Sequence, residues 1–285
     1  MDVCNIDHIK ALLARHGFHF SKSMGQNFLI QSWVPEDIAH AARVGKDHCV
    51  LEIGPGIGPL TRQLSDRAGK VVAVELDRSL LPILTETLEG RDNVQIISGD
   101  IMKLNIPTLV SEHFEGLTPA ACANLPYNIT TPVITALIQA NCFESITVMI
   151  QREVALRICA APGTSDYGAF SVLCQFYTTP ELLFDVPNTC FIPAPKVTSA
   201  VIRMTPRAKP GSVCDESFFF RVVRAAFAQR RKTLHNSLSS ALGQPFTREM
   251  IASAISQCGF APDVRGERLG IDQFGALSSA LMSMV

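Results

Sequence analysis

Between Cys49 and Gln151 the chain repeats one pattern: a short, nearly continuous apolar run rich in β-branched residues, followed by a stretch with helical periodicity. The runs are "CVLEIG" (Cys49 to Gly54), "KVVAVEL" (Lys70 to Leu76), "NVQIISG" (Asn93 to Gly99), "PAACANL" (Pro119 to Leu125) and "SITVMIQ" (Ser145 to Gln151). Strands apolar on both faces must be covered on both faces, and helical segments between them make successive strands parallel. The expected fold class is α/β, with a Rossmann-like, doubly wound sheet.

Past Gln151, "ELLFDVPNTCFIPAP" and "SAVIRMTP" read as further strands joined by a proline-rich loop, and "TPRAKPGS" (Thr205 to Ser212) as a linker. Beyond it, "ESFFFRVVRAAFAQRRKTLHNSLSSAL" and "TREMIASAISQCGF" carry helical periodicity and no strand pattern. The expected organisation is a catalytic domain over residues 1–206 and a small all-helical domain over residues 207–285. Charge divides along the same line. Residues 1–206 hold 15 Lys+Arg against 20 Asp+Glu, a net of −5, and residues 207–285 hold 10 against 6, a net of +4.

Several classes of protein are disfavoured. No apolar run approaches the roughly 18 residues of a membrane span. The first twenty residues lack a continuous apolar core, and Asp2 and Asp7 oppose a transit peptide, so an untargeted cytoplasmic chain is expected. Nine cysteines without a C-x-x-C pair fit neither a disulfide framework nor a zinc site, and the histidines lack ligand spacing. No metal is expected.

"LEIGPGIGPLT" (Leu51 to Thr61) is a strand entering a glycine-rich turn and then a helix. Gly54, Gly56 and Gly58 let the backbone turn tightly and approach a nucleotide-type ligand. A dinucleotide fingerprint needs G-x-G-x-x-G, but Pro59 stands where its last glycine belongs, which brings the pattern closer to S-adenosylmethionine enzymes. Glu75, ending the second strand, can accept from both hydroxyls of a ribose. Asp100, closing the third, can accept from an adenine amino group, although alone it reads more readily as a helix N-cap. Three such positions behind successive strands fit one ligand, because ligands of open α/β sheets sit at the carboxyl ends of the strands.

"NLPY" (Asn124 to Tyr127) follows the fourth strand and opens on the same crevice. An exocyclic amine on a base is a poor nucleophile, its lone pair being delocalised into the ring. If the Asn124 side-chain oxygen and the Leu125 carbonyl each accept one N–H, the amine is held with its lone pair toward an incoming methyl. Pro126 stiffens the loop, and Tyr127 offers a face for the base to stack on. The target base must be flipped or single-stranded.

With these residues in place the chain resembles the small-subunit ribosomal RNA adenine dimethyltransferase family over nearly its whole length. The stretches that carry the resemblance are "KSMGQNFL" (Lys22 to Leu29), "LEIGPGIGPLT", "AVELD", "SGDIM", "NLPYNITTPV", "MIQREVALR", "YGAFSV", "VPNTCFIPAPKVTSAV" and "RRKTLHNSL". The resemblance implies a Rossmann-like methyltransferase domain with a helical C-terminal domain. It places S-adenosylmethionine against Asn27, Leu29, Gly54, Glu75, Asp100 and Asn124, with Gly56 in the same turn, and the target adenine between Tyr127 and Phe191. It implies two methyl transfers to N6 of each of two adjacent adenines in a hairpin loop near the 3′ end of small-subunit ribosomal RNA. The implied partner is an immature small subunit; apart from the resemblance, a monomer is expected.

On a helical wheel at about 100° per residue, Arg221, Arg224, Arg231, Lys232 and His235 share one face, opposite Phe219, Val222, Val223, Phe227, Leu234 and Leu238. Such a face is ordinarily only solvated, but beside a net-acidic catalytic domain it would supply the grip on phosphates. Arg230 breaks the pattern from the apolar side. Three other readings stay open: a large-subunit adenine methyltransferase of the macrolide-resistance type, which shares the catalytic groups; a nicotinamide dehydrogenase, disfavoured by Pro59; and a ribosome-assembly or transcription factor without catalysis.

Overall fold

The computed structural model describes residues 2–20 and 25–285. Lys22 to Met24 of the "KSMGQNFL" stretch lie outside the described residues. The chain forms two compact units, Met1–Ala155 with Pro180–Pro206, and Leu156–Thr179 with Arg207–Val285.

The first unit is built on seven strands: β2 (His48–Ile53), β3 (Lys70–Glu75), β4 (Val94–Ser98), β5 (Thr118–Asn124), β6 (Ser145–Gln151), β7 (Thr178–Val186) and β9 (Ser199–Pro206). Their order is β4-β3-β2-β5-β6-β9-β7. β4, β3, β2, β5 and β6 run parallel, Val50 lying beside Val71 of β3 and Ala120 of β5. β9 runs antiparallel to β6. β1 (Phe28–Leu29) and β8 (Phe191–Ile192) form a separate antiparallel ribbon with Leu29 opposite Phe191.

Apolar residues buried on β2, β5 and β6 dictate the layers. Val50, Ala120, Cys122 and Met149 pack with α2 (Trp33–Ala41) and α3 (Pro59–Arg67) through Val34, Ile38, Leu60 and Leu64. A helix the sequence reading left unassigned, α1 (Ile6–Arg15), is capped by the Asn5 side chain, which accepts from the amides of Asp7 and His8. Its Ile9, Leu12 and Leu13 pack with Phe18, Phe28 and Ile57, the last of these inside the glycine turn.

The second unit comprises α8 (Ala169–Tyr177), α9 (Glu216–Phe227), α10 (Leu234–Ala241), α11 (Arg248–Gln257) and α12 (Ile271–Met282). Composition assigned residues 156–179 to the first domain, whereas their side chains pack with the C-terminal helices. Phe176 lies 5.0 Å from Phe219 and 5.1 Å from Phe220, and the Tyr167 hydroxyl donates to the Leu269 carbonyl at 3.0 Å. A boundary set by such distant aromatic contacts leaves no trace in local composition.

The single long basic helix is corrected as well. α9 stops at Phe227, and α10 starts at Leu234 under Thr233, whose hydroxyl accepts from the Asn236 amide. Arg230, Arg231 and Lys232 therefore lie in the turn between two helices. No described helix is long and apolar enough to cross a membrane.

Gly69 shows how tightly the sheet is joined. A Cβ there would stand 2.2 Å from the Lys46 carbonyl oxygen, a backbone atom with no freedom to yield. Gly69→Ala is expected to destabilise the first unit by about 1–3 kcal/mol, the usual cost of overpacking. The shift of the urea midpoint at unchanged slope measures it; an unshifted midpoint would contradict the close approach.

Candidate active site

The strand order diverges between β2 and β5, since the connection from β2 leads outward to β3 and that into β5 crosses to the other flank. A crevice opens at the carboxyl ends of parallel strands at such a point. One cleft here is lined by Asn27, Leu29, Gly54, Gly56, Glu75, Asp100, Asn124, Leu125, Pro126, Tyr127 and Phe191, so every expected cofactor, catalytic and stacking residue of the first unit reaches the same cavity.

The glycine turn forms one wall. Gly54 and Gly56 have φ of 67° and 63°, the left-handed region that other residues enter only with strain. The Phe28 ring lies 3.4 Å from where a Gly56 Cβ would be. Gly58 is the N-cap of α3 and Pro59 its first residue.

Glu75 ends β3 at 5% exposure. Its carboxylate accepts from the amides of Asp77 at 2.8 Å and Gly56 at 3.3 Å. Burial raises its pKa above the ordinary range. Asp77 in turn accepts from the Gln26 side chain at 2.7 Å, tying the segment before β1 to the end of β3. Asp100 caps a short helix, its Oδ1 accepting from the Met102 amide at 3.0 Å, and the residue also lines the cleft. Asn27 donates to the Gly25 carbonyl at 3.0 Å.

At the end of β5, the Leu125 amide donates to the Met149 carbonyl at 3.1 Å, which fixes the turn to β6. The Pro126 carbonyl accepts from Ile129 and from the Thr130 hydroxyl. Neither the Asn124 side chain nor the Leu125 carbonyl has a hydrogen-bond partner among the described residues. Both residues line the cleft, so two carbonyl-type acceptors stand there with their capacity unspent among the described residues. Tyr127 is half-buried, its hydroxyl 2.6 Å from Ser199 Oγ, and burial raises the phenol's pKa. Phe191, at 3% exposure, packs within the core beneath the cleft and leaves little of its ring to a ligand.

Glu52 was missed in the sequence because a carboxylate inside an apolar strand reads as an ordinary strand residue. It lines the cleft at 1% exposure, and its Oε2 has no hydrogen-bond partner among the described residues. Burial pushes its carboxyl from the ordinary 4.5 up to about 8. A cleft walled by Glu52, Glu75 and Asp100 suits a ligand with a ribose diol and positive charge. Without a third glycine after the turn, it offers poor accommodation for a pyrophosphate. These residues fit S-adenosylmethionine, which carries a ribose, an ammonium and a sulfonium.

In the second unit, Arg221 donates to the Leu242 carbonyl at 2.5 Å and lies over the Phe246 ring, so it joins two helices. Arg230 approaches Glu267 at 3.6 Å and donates to the Ser165 carbonyl, which accounts for its place off the basic face. Arg224, Arg231 and Lys232 are exposed and make no ion pair among the described residues.

Fold and cleft together define a Rossmann-like methyltransferase. Residues 17–260 match the family model described as ribosomal RNA adenine dimethylase, and the chain belongs to that family. It is 47% identical over 285 residues to "Ribosomal RNA small subunit methyltransferase A" of Bacillus cytotoxicus, covering 99% of this chain and 98% of that one. The protein of the same name in Bacillus mycoides is 46% identical with the same coverage. Among solved structures, a dimethyladenosine transferase from Plasmodium falciparum shares the fold at a TM-score of 0.72 and 23% identity, over 87% of this chain and 95% of that one. The 23S rRNA methyltransferase ErmE superposes at a TM-score of 0.67 and 27% identity, over 90% and 99%.

The Glu52 carboxyl makes stability depend on pH in the cofactor-free protein. Its folded pKa lies above its unfolded one, so its contribution is full below about pH 4.5 and is lost as pH rises through about 8. Glu52→Gln removes that dependence. The stability of the variant relative to the parent is expected to rise between pH 5 and 8 and to level off above, as read from urea midpoints; parallel profiles would contradict the buried acid.

Proposed function

We propose that this chain transfers methyl groups from S-adenosylmethionine to N6 of two adjacent adenines in the 3′-terminal hairpin loop of small-subunit ribosomal RNA, giving dimethyladenosines. The observation that carries the reading is the pair of unspent acceptors, the Asn124 side-chain oxygen and the Leu125 carbonyl, in a cleft that also holds Glu75 and Asp100. Near-full-length similarity to proteins named for small-subunit ribosomal RNA supports it. The reading includes a monomer acting in the cytoplasm on an incompletely assembled small subunit, where a loop base is free to flip out.

Glu75 would hold the ribose diol of the cofactor, Asp100 its adenine amino group, and Asn27, Leu29, Gly54 and Gly56 the remaining contacts. S-adenosylmethionine held by these residues would supply an electrophilic methyl group on its sulfonium sulfur, with a neutral thioether as the leaving group. Asn124 and Leu125 each accept one N–H of the target amine, which localises the lone pair and directs it along the line of attack. Tyr127 provides the main stacking face, with Phe191 as the floor beneath. After the first transfer one N–H remains, and one acceptor still holds it. No side chain has to act as base, because the cationic amine formed on attack is acidic enough to give its proton to water.

The grip on RNA falls to Arg224, Arg231 and Lys232, exposed on a unit of net positive charge. Arg221 secures the helices that present them. The double variant Arg224→Ala with Arg231→Ala is expected to weaken RNA binding and to reduce the slope of log affinity against log salt by roughly 1–2, as each lost phosphate contact dictates. An unchanged slope would place the phosphate contacts elsewhere.

Asn124→Ala tests the chemistry. Methyl transfer to small subunits lacking the modification should fall by about 10²–10³ in kcat, the usual effect of removing one preorganised polar group, while RNA affinity stays at the parental value. Full turnover in the variant would remove Asn124 from the mechanism.

A further inference from the structure

Among the strands of the main sheet resolved in direction against β6, β9 is the one that runs backward, and this delivers its first residue to the edge where the parallel strands end. Ser199 opens β9 opposite Gln151, the last residue of β6. Its position is fixed from both sides. The Arg152 amide donates to the Thr198 carbonyl at 3.0 Å, and the Arg152 side chain reaches Asp185 of β7 at 2.8 Å. Ser199 is 0% exposed, and its Oγ lies 2.6 Å from the Tyr127 hydroxyl. A ring on two rotatable bonds is thus tied at its far end to the sheet, which fixes the direction of its long axis, and because a phenol oxygen donates and accepts near the plane of its ring, the bond also biases the rotation of that plane.

We propose that Ser199 is a positioning residue that makes the second methyl transfer efficient by locking the Tyr127 ring. The inference rests on the stacking role proposed above for Tyr127. Before the first transfer the target amine has two N–H groups, and the Asn124 and Leu125 acceptors orient it by themselves. Afterwards a methyl replaces one hydrogen and one acceptor is left without a partner on the amine. A single hydrogen bond does not define the amine's orientation, so the plane of the stacked base, and with it the Tyr127 ring, must supply the missing constraint. Loosening the ring therefore penalises the second transfer more than the first.

The test uses small subunits lacking the modification, with monomethyl- and dimethyladenosine quantified by mass spectrometry after limited turnover. Ser199→Ala is expected to lower the dimethyl-to-monomethyl ratio roughly fivefold, the rate factor of one neutral hydrogen bond. Tyr127→Phe, which keeps the ring and removes the same bond from the other side, should give the same shift. The double variant should be no worse than either single one, and Ser199→Thr should restore the ratio. Cofactor affinity by calorimetry should not change in Ser199→Ala, whereas general damage to the cleft would lower it. A parental ratio in both single variants, additive losses in the double, or failure of the threonine rescue would overturn the role of Ser199. Absence of dimethyladenosine from the unmutated enzyme would instead overturn the function on which it rests.

Discussion

Hydrogen bonding of β2 to β3 on one flank and to β5 on the other forces the helical connections apart, and the cleft is the space left where they part. The glycine turn, the strand-end carboxyls and the "NLPY" turn are placed by that geometry. The glycine turn follows β2, Glu75 ends β3, Asp100 follows β4, and Asn124 ends β5. Parallel strands carry all these ends to one edge of the sheet, so residues separated by as many as seventy positions in the chain face one cavity. The reversed strand β9 adds the opposite kind of end, bringing Ser199 to the same edge from its amino-terminal side.

The cleft is rich in acceptors and carboxyl groups. Glu52, Glu75 and Asp100 line it together with the Asn124 amide and the Leu125 carbonyl, and this set favours ligands that donate hydrogen bonds or carry positive charge. The cofactor and the cation formed when a base amine accepts a methyl group meet that description. On the proposed reading the site works by holding and orienting, and the proton that must leave is lost from a species already acidic. The cost is a buried carboxyl at Glu52 whose Oε2 has no hydrogen-bond partner among the described residues, a departure from ordinary core composition that a folded protein tolerates at a functional site.

The sheet and its cleft were legible in the sequence because both depend on local patterns. The five apolar runs match five strands to within a residue or so, and glycines, strand-end carboxylates and "NLPY" are read directly from their spacing. What escaped depends on contacts across the chain. Phe176 joins the helical unit through the Phe219 ring, 43 positions on (219 − 176), and Tyr167 through the Leu269 carbonyl, 102 positions on. The stop at Phe227 was hidden because "AQRRKT" keeps helical composition, and the Thr233 cap that starts the next helix is a single residue within it. Ser199 and Glu52 have no local signal at all: a serine opening a strand and a glutamate inside one take their surroundings only from what the sheet places beside them.

The central claim is that the two acceptors at the end of β5 direct methyl groups onto adenine N6 of small-subunit RNA. The most direct measurement is transfer of labelled methyl from S-adenosylmethionine to unmodified small subunits, to naked small-subunit RNA and to large-subunit RNA, followed by mapping of the labelled nucleosides. The account predicts dimethyladenosine at two adjacent positions in the 3′-terminal hairpin loop of the small-subunit RNA, with the particle as the better substrate. Label in large-subunit RNA, or no label in any of the three, would contradict it.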